Sequence, residues 1–301
     1  IRNKYDVIVV GYPGHIVVPL AKLISPKPVI ADLLGSLYDA EVNSHYSNLW
    51  KKLKVRLADF VAVRFADVIL LESKAQKKFF EEKFGKSVKY EVMYTGADEK
   101  FNDTNIRMMR MKQMDTNGNN RKFMVLFRGK LTPECGIMHI LKAAEMLKEN
   151  DNIRFRIVGS GYFLEKAKNF ISEKKLANVE LISRFLPAKE LIEKIEDADL
   201  ILGQFGDNPR LSRTIPHKAF EAFAMGIPYL TGDGLAIREI AEDGINVFFV
   251  PLANPTAIAH KIESLVKQPE LLRQVAVRAR KVFEEKFAPA PLVERLVKIM
   301  L

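Results

Sequence analysis

The strongest constraint in this sequence is a repeated change of hydrophobic period. Runs of consecutive apolar residues alternate with segments whose apolar residues recur every three or four positions. KYDVIVVG (4–11) is a polar lead into an apolar run that stops at glycine, the pattern of a strand buried on both faces. PLAKLIS (19–25) opens a helix with proline at its first position, and KPVIADLL (27–34) is a second strand. From 47 to 65 runs a long helix carrying Leu49, Leu53, Leu57, Phe60, Val61 and Phe65 at helical spacing. ADVILLES (66–73) is a third strand, and a charged helix follows over 74–84. Strands and helices in this order predict parallel βαβ units.

The pattern breaks over 104–120, where TNGNN (116–120) is turn chemistry behind a basic, Met-rich stretch. A second series then begins. Strands are expected at FMVLFRG, IRFRIVG, NVELIS, ADLILGQF, IPYLTG and INVFFV. Helices are expected over 137–147, 162–174, 188–195, 218–225 and 236–242, with two more at the end. The reading is therefore two doubly wound α/β domains, 1–104 and 123–290, joined by a linker over 105–122, with a last helix over 291–301 crossing back to the first. A length of 301 residues and 48% hydrophobic composition supply material for two cores.

Composition excludes several classes. Cys135 is the single cysteine, so neither an intrachain disulfide nor a multi-cysteine zinc site can form, which fits a reducing cytoplasm. No uncharged apolar run reaches the length of a membrane span, and no signal-peptide pattern is visible. The net charge of +10 is densest over 106–122, five cations against one acid. A nucleic-acid binder would cluster cations with exposed aromatics on one face; here cations and acids are interspersed, so none is expected.

Three strand-to-helix junctions could carry chemistry. In IVGSGYFLEKA (157–167), Gly159 and Gly161 turn the chain into a helix, but Leu164 holds the third glycine position of a dinucleotide fingerprint. A tight turn and a ligand contact fit it equally. FRGKLTPECGI (127–137) sets Arg128 and Lys130 beside Gly129 at a strand end, two cations suited to a diphosphate. TIPHKAFEAFAMGIPYL (214–230) starts a helix at Pro216, leaving the amides of His217 and Lys218 available, with Glu221 one turn on.

In the order GK(x5)G, VGSG, ADLIL, P-x-K-x-x-E-x-x-x-x-G-x-P and GLAIREI-x-x-x-x-N, residues 123–301 resemble the donor half of a GT-B glycosyltransferase, family 4 (group 1). DVIVVGYPGH and MYTGADEKF resemble its acceptor half more loosely. The resemblance implies two Rossmann-like domains facing a cleft, the family's opening strand and glycine-rich loop falling before Ile1. It implies retaining transfer of a hexose from a UDP- or GDP-sugar, without cofactor or metal, to a glycan, lipid-linked or small-molecule acceptor in polysaccharide or glycolipid synthesis. Lys130 and Arg128 would stabilise the leaving diphosphate. Glu221 would hold the donor ribose, Gly129 and Gly159 would line the cleft, Phe185 would pack on the base, and the amides of His217 and Lys218 would face the phosphates. Arg213, counted among the donor-binding residues, stands where the family has a glutamate, Cys135 where it has a lysine, and Asp32, counted among the catalytic residues, where it has a histidine. A nucleotide-sugar epimerase and a non-catalytic partner with a degenerate cleft are the alternatives; a phosphorylase lacks its cofactor-lysine motif.

On the acceptor side, Tyr12 and His15 follow the first strand. Asp32 and Tyr38 belong to ADLLGSLYDAE, where a carboxylate could orient an acceptor hydroxyl while Ser36 and Asp39 could equally be helix caps. No spacing suggests a metal site. Finally, Trp50, Lys51, Lys52, Lys54 and Arg56 share a helix with an apolar side. Either that side packs on the first sheet, or the helix and the linker methionines Met108, Met109, Met111 and Met114 meet an anionic membrane on its cytosolic face.

Overall fold

The computed structural model describes residues 4–42, 48–101 and 121–300. The expected linker falls mostly on 102–120, outside the described residues, and so do its methionines. The chain divides into two compact units. One comprises Ile1–Thr95, Arg213–Ile215 and Ala290–Leu301; the other comprises Gly96–Ser212 and Pro216–Pro289.

The first unit is built on a parallel sheet whose strands follow one another in sequence: β1 (Ile8–Val10), β2 (Val29–Leu34), β3 (Val68–Leu71) and β4 (Lys89–Val92). Its helices are α1 (Val18–Ile24), α2 (Leu37–Val42), α3 (Leu49–Phe65) and α4 (Lys74–Phe84). Val29, Ala31, Ile69 and Leu71 form the core with Val18, Ala62 and Phe80. Asn48 and Ser73 cap α3 and α4 by accepting the amides of Lys51 and Gln76, at 2.8 and 2.9 Å. The β2–β3 register slips between Asp32 and Leu34, and Leu34 takes a φ of 53° there.

α3 is oriented opposite to the packing expectation. Ala58, Asp59, Ala62 and Val63 are buried, whereas Leu49, Leu53, Leu57 and Phe60 face solvent. Mostly small side chains let the helix approach its neighbours closely, and the larger ones are left outside.

The second unit holds six parallel strands: β5 (Phe123–Arg128), β6 (Ile153–Val158), β7 (Val179–Ile182), β8 (Leu200–Leu202), β9 (Tyr229–Gly232) and β10 (Phe248–Val250). Their spatial order is β10-β9-β8-β5-β6-β7, so the winding reverses between β5 and β8. Open α/β sheets bind ligands at the carboxyl ends of strands at such a point. The helices are α5 (Ile137–Met146), α6 (Leu164–Glu173), α7 (Ala188–Glu196), α8 (Pro209–Ser212), α9 (His217–Ala224), α10 (Pro255–Val266) and α11 (Pro269–Lys286). α12 (Pro289–Met300) is, from Ala290 on, part of the first unit, where Arg295 Nε donates to Val92 O at 2.8 Å.

Three local expectations are corrected. The helix foreseen over 236–242 is a single 3-10 turn, Ile237–Glu239, followed by the Asp243–Val247 bridge. Three helices, not two, close the chain, because Pro289 starts a new one. Strand β4 and the short helix α8 also appear where none was expected.

Candidate active site

The second unit assembles a charged cluster at its reversal point. Arg128 is the last residue of β5, and Gly203 follows β8, the neighbouring strand. α9 lies in the core, every residue from Lys218 to Ala224 being buried. Two of those residues are charged and share a helix face at three-residue spacing, Lys218 and Glu221. A carboxylate on a core helix needs a partner, and Glu221 Oε2 has one in Arg128 Nη2.

Lys218 is less well provided for. Its Nζ reaches Gly203 O at 3.4 Å and sits 4.1 Å from the centre of the Phe127 ring. A Cβ at Gly129 would stand 3.2 Å from that ammonium. Burial pushes the Lys218 pKa down to about 8; Cys135 and Glu221 pull it upward and Arg128 opposes them. The result is a buried ammonium beside a glycine loop, held by one carbonyl and one ring face.

The glycines have a packing role. A Cβ on Gly159 would lie 1.9 Å from Gly129 O, so the loops after β5 and β6 can touch only if that position is bare. The sequence left a turn and a ligand contact open at Gly159; backbone approach alone accounts for its glycine.

The other candidates on this unit are dispersed. Lys130 is exposed at the loop surface, His217 is exposed on the first turn of α9, and Phe185 is 91% exposed. Arg213 is not grouped with them. It belongs to the first unit, where its guanidinium bonds Asp39 Oδ2 at 2.6 Å and covers the Phe79 ring at 4.2 Å. Ser73 Oγ also donates to its carbonyl at 2.6 Å. The Arg213 guanidinium, counted among the donor-binding residues, is thus paired within the first unit.

The first unit has its own polar centre, around Asp59. Its carboxylate accepts from Ser36 Oγ at 2.5 Å and from the amides of Leu37 and Tyr38 at 2.9 and 3.1 Å. His15 Nε2 lies 3.6 Å away, and that ring is buried. Burial lowers the His15 pKa against the pull of Asp59. Ser36 also caps α2, accepting the Asp39 amide at 3.0 Å. Tyr38 lies under Lys83, 4.4 Å from its ring centre, and Tyr12 meets the His15 ring edge-on. Asp32 is half-buried on β2, and burial raises its pKa.

Sequence reasoning missed Asp59 and the Lys218 side chain. Asp59 is the lone acid among five cations on α3 and sits on its small-residue side, a signal that was available. Lys218 was singled out for its amide, because nothing in a P-x-K spacing tells which way the side chain turns.

Two parallel, Rossmann-like α/β units are the architecture of the GT-B fold. Residues 110–282, more than half of the chain, match the family described as glycosyl transferases group 1, and the chain belongs to that family. WcaL of Salmonella typhimurium, named for colanic acid biosynthesis, is 26% identical over 178 residues, 57% of this chain and 43% of its own. The chain thus spans less than half of that relative. The alpha-D-kanosaminyltransferase of Streptomyces kanamyceticus is 21% identical over 278 residues, 90% of this chain and 70% of its own. Among solved structures, Anabaena HepE in complex with UDP and glucose superposes with a TM-score of 0.77 at 19% identity, covering 98% of this chain and 77% of that one.

Proposed function

We propose that the chain is a retaining hexosyltransferase that takes a sugar from a UDP- or GDP-sugar, without a metal, in the assembly of a polysaccharide or glycolipid. The observation that carries this is the cluster of Lys218, Glu221 and Arg128 at the reversal point of the second sheet. Relatives named for colanic acid synthesis and kanosaminyl transfer, and a neighbour holding UDP, support it.

Breaking the bond between sugar and diphosphate builds negative charge on the departing phosphate. A cation fixed in a dry setting stabilises that charge more than a solvated one does. Lys218 supplies it, the first amides of α9 add donors, and Lys130 approaches from the solvent side. Glu221, oriented by Arg128, accepts hydrogen bonds from the ribose hydroxyls. The departing phosphate oxygen takes the acceptor's proton on the face it leaves, so configuration is retained. Asp32, whose burial favours the protonated form, orients the acceptor hydroxyl in the first unit. A lipid-linked acceptor would also bring the enzyme to the cytosolic face of a membrane.

Calorimetry with UDP-, GDP- and ADP-sugars, followed by the anomeric configuration of the product, tests the reading. Binding and retained product are expected, with turnover unchanged by a chelator. No binding of any of these donors would overturn it in favour of a non-catalytic partner protein.

A further inference from the structure

The ladder between β8 and β9 ends on a slip. Its register pairs Ile201 with Tyr229 and Leu202 with Leu230, and Gly203 N continues it by donating to Leu230 O at 2.8 Å. In a regular parallel ladder the next bond would run from Gly232 N back to Gly203 O. Gly232 N instead donates to Gln204 O, one residue further on, at 2.8 Å. The extra residue is a bulge, and it releases the Gly203 carbonyl from the sheet. That carbonyl is the one Lys218 Nζ reaches, at 3.4 Å.

Thr231, buried on β9, holds the slipped peptide. Its Oγ1 accepts from Gln204 N at 3.1 Å and donates to Gln204 O at 3.2 Å. A Cβ on Gly203 would lie 2.2 Å from Thr231 Oγ1 and 2.5 Å from the Tyr229 hydroxyl oxygen, so residue 203 must be bare for the two side chains to close on it. The sheet itself has no need of that hydroxyl, since valine has the same shape and suits a strand as well. What the hydroxyl adds is a fixed place for the Gly203–Gln204 peptide.

We propose that Thr231 is a positioning residue for the buried ammonium: by pinning Gln204 to β9 it keeps the Gly203 carbonyl on Lys218 Nζ. What the ammonium then does rests on the donor reading above; how it is held does not. A buried ammonium with one carbonyl acceptor is tuned by that acceptor, and moving the carbonyl away disfavours the charged form. Arg128, Glu221 and Cys135 also act on this ammonium, and Tyr229 stays a neutral hydroxyl because burial pushes its pKa up.

NMR titration of the full chain carrying isotope-labelled lysine tests it, the Lys218 signal being identified by its absence in Lys218→Met. The native midpoint is expected at about 8. Thr231→Val should lower it by about half a pH unit or more, and Thr231→Ser, which keeps the hydroxyl, should restore it. Gly203→Ala, whose methyl collides with the Thr231 hydroxyl, should move the midpoint the same way. Half a pH unit is about threefold in the proton equilibrium, so calorimetric affinity for UDP should fall about threefold more above the midpoint than below it. Circular dichroism identifies the folded variants. An unmoved or raised midpoint in either folded variant overturns the proposal, whatever the loss of stability, as does a midpoint that Thr231→Ser fails to restore. If the native chain binds neither UDP nor GDP, the donor reading fails, and the titration midpoint still decides the role of Thr231.

Discussion

Each unit buries a charge, and the two charges are treated differently. Asp59 in the first unit receives a hydroxyl and two backbone amides, with an imidazole nearby. Lys218 in the second has a carbonyl at 3.4 Å and a ring face. A buried ion whose hydrogen-bonding capacity is filled by its own fold holds elements together, here α2 and α3 to the chain after β2. A buried ion left short of partners destabilises the fold and gains when an anion arrives. On this comparison the first cluster is filled by its own fold, and the second keeps the capacity that the proposed donor site would use.

The largest effect should come from breaking the filled cluster. Asp59→Ala strands the Ser36 hydroxyl and two amides in a dry setting, and the first unit should lose about 4 kcal/mol. Chemical denaturation measures it, and the nucleotide affinity proposed for the second unit should be retained. A loss below about 1 kcal/mol would make Asp59 replaceable and erase the contrast.

Lys218→Met should do the reverse. Lowering the pKa from 10.5 to about 8 corresponds to about 3 kcal/mol against the charged form, so methionine should stabilise the second unit at neutral pH. Donor affinity should fall at the same time. A variant that is both less stable and equally good at binding would show Lys218 to be an ordinary packing residue.

The same group sets a pH window. Between about 8 and 10.5 the unfolded chain keeps the Lys218 proton while the folded one releases it, so stability rises with pH there and is flat below. In the proposed donor site the diphosphate is held by the ammonium, so donor affinity should be constant below pH 8 and fall by up to tenfold per unit above it. Titration calorimetry across this range checks both slopes, and Lys218→Met should flatten them. Glu221→Gln should cost about 2 kcal/mol of donor affinity at every pH, since a neutral amide holds ribose hydroxyls less strongly and leaves Arg128 uncompensated.

The sequence made the order of strands legible because each strand is buried on both faces and reads as an unbroken apolar run. The α9 segment was legible for a related reason: Pro216 opens it and Gly226 follows it. β4 escaped because KYEV alternates polar and apolar residues over only four positions. The orientation of α3 was not legible, since a leucine stripe marks a helix face without saying whether protein or something else covers it. The charged cluster of the second unit was half legible. Arg128, Gly129, Lys218 and Glu221 were all singled out, but their pairing was not, because a guanidinium at a strand end reaches a phosphate or a carboxylate equally well. Arg213 shows the same limit: its partner, Asp39, is 174 residues away in sequence.

The smallest expected effect separates an exposed cation from a buried one on the same unit. Lys130 stands at the loop surface, where water already screens its charge, so its pull on a resting diphosphate is worth under about 1 kcal/mol. Charge on the leaving group grows as the sugar departs, and water is then displaced from around it, so the same lysine should matter more in the transition state. Lys130→Ala should therefore lower kcat by roughly tenfold and shift donor KM little. Its effect should fade with added salt, because exposed charges are screened, whereas that of Lys218→Met should not. Equal salt sensitivity in the two variants, or a change confined to KM, would place both lysines in one environment and remove the distinction between them.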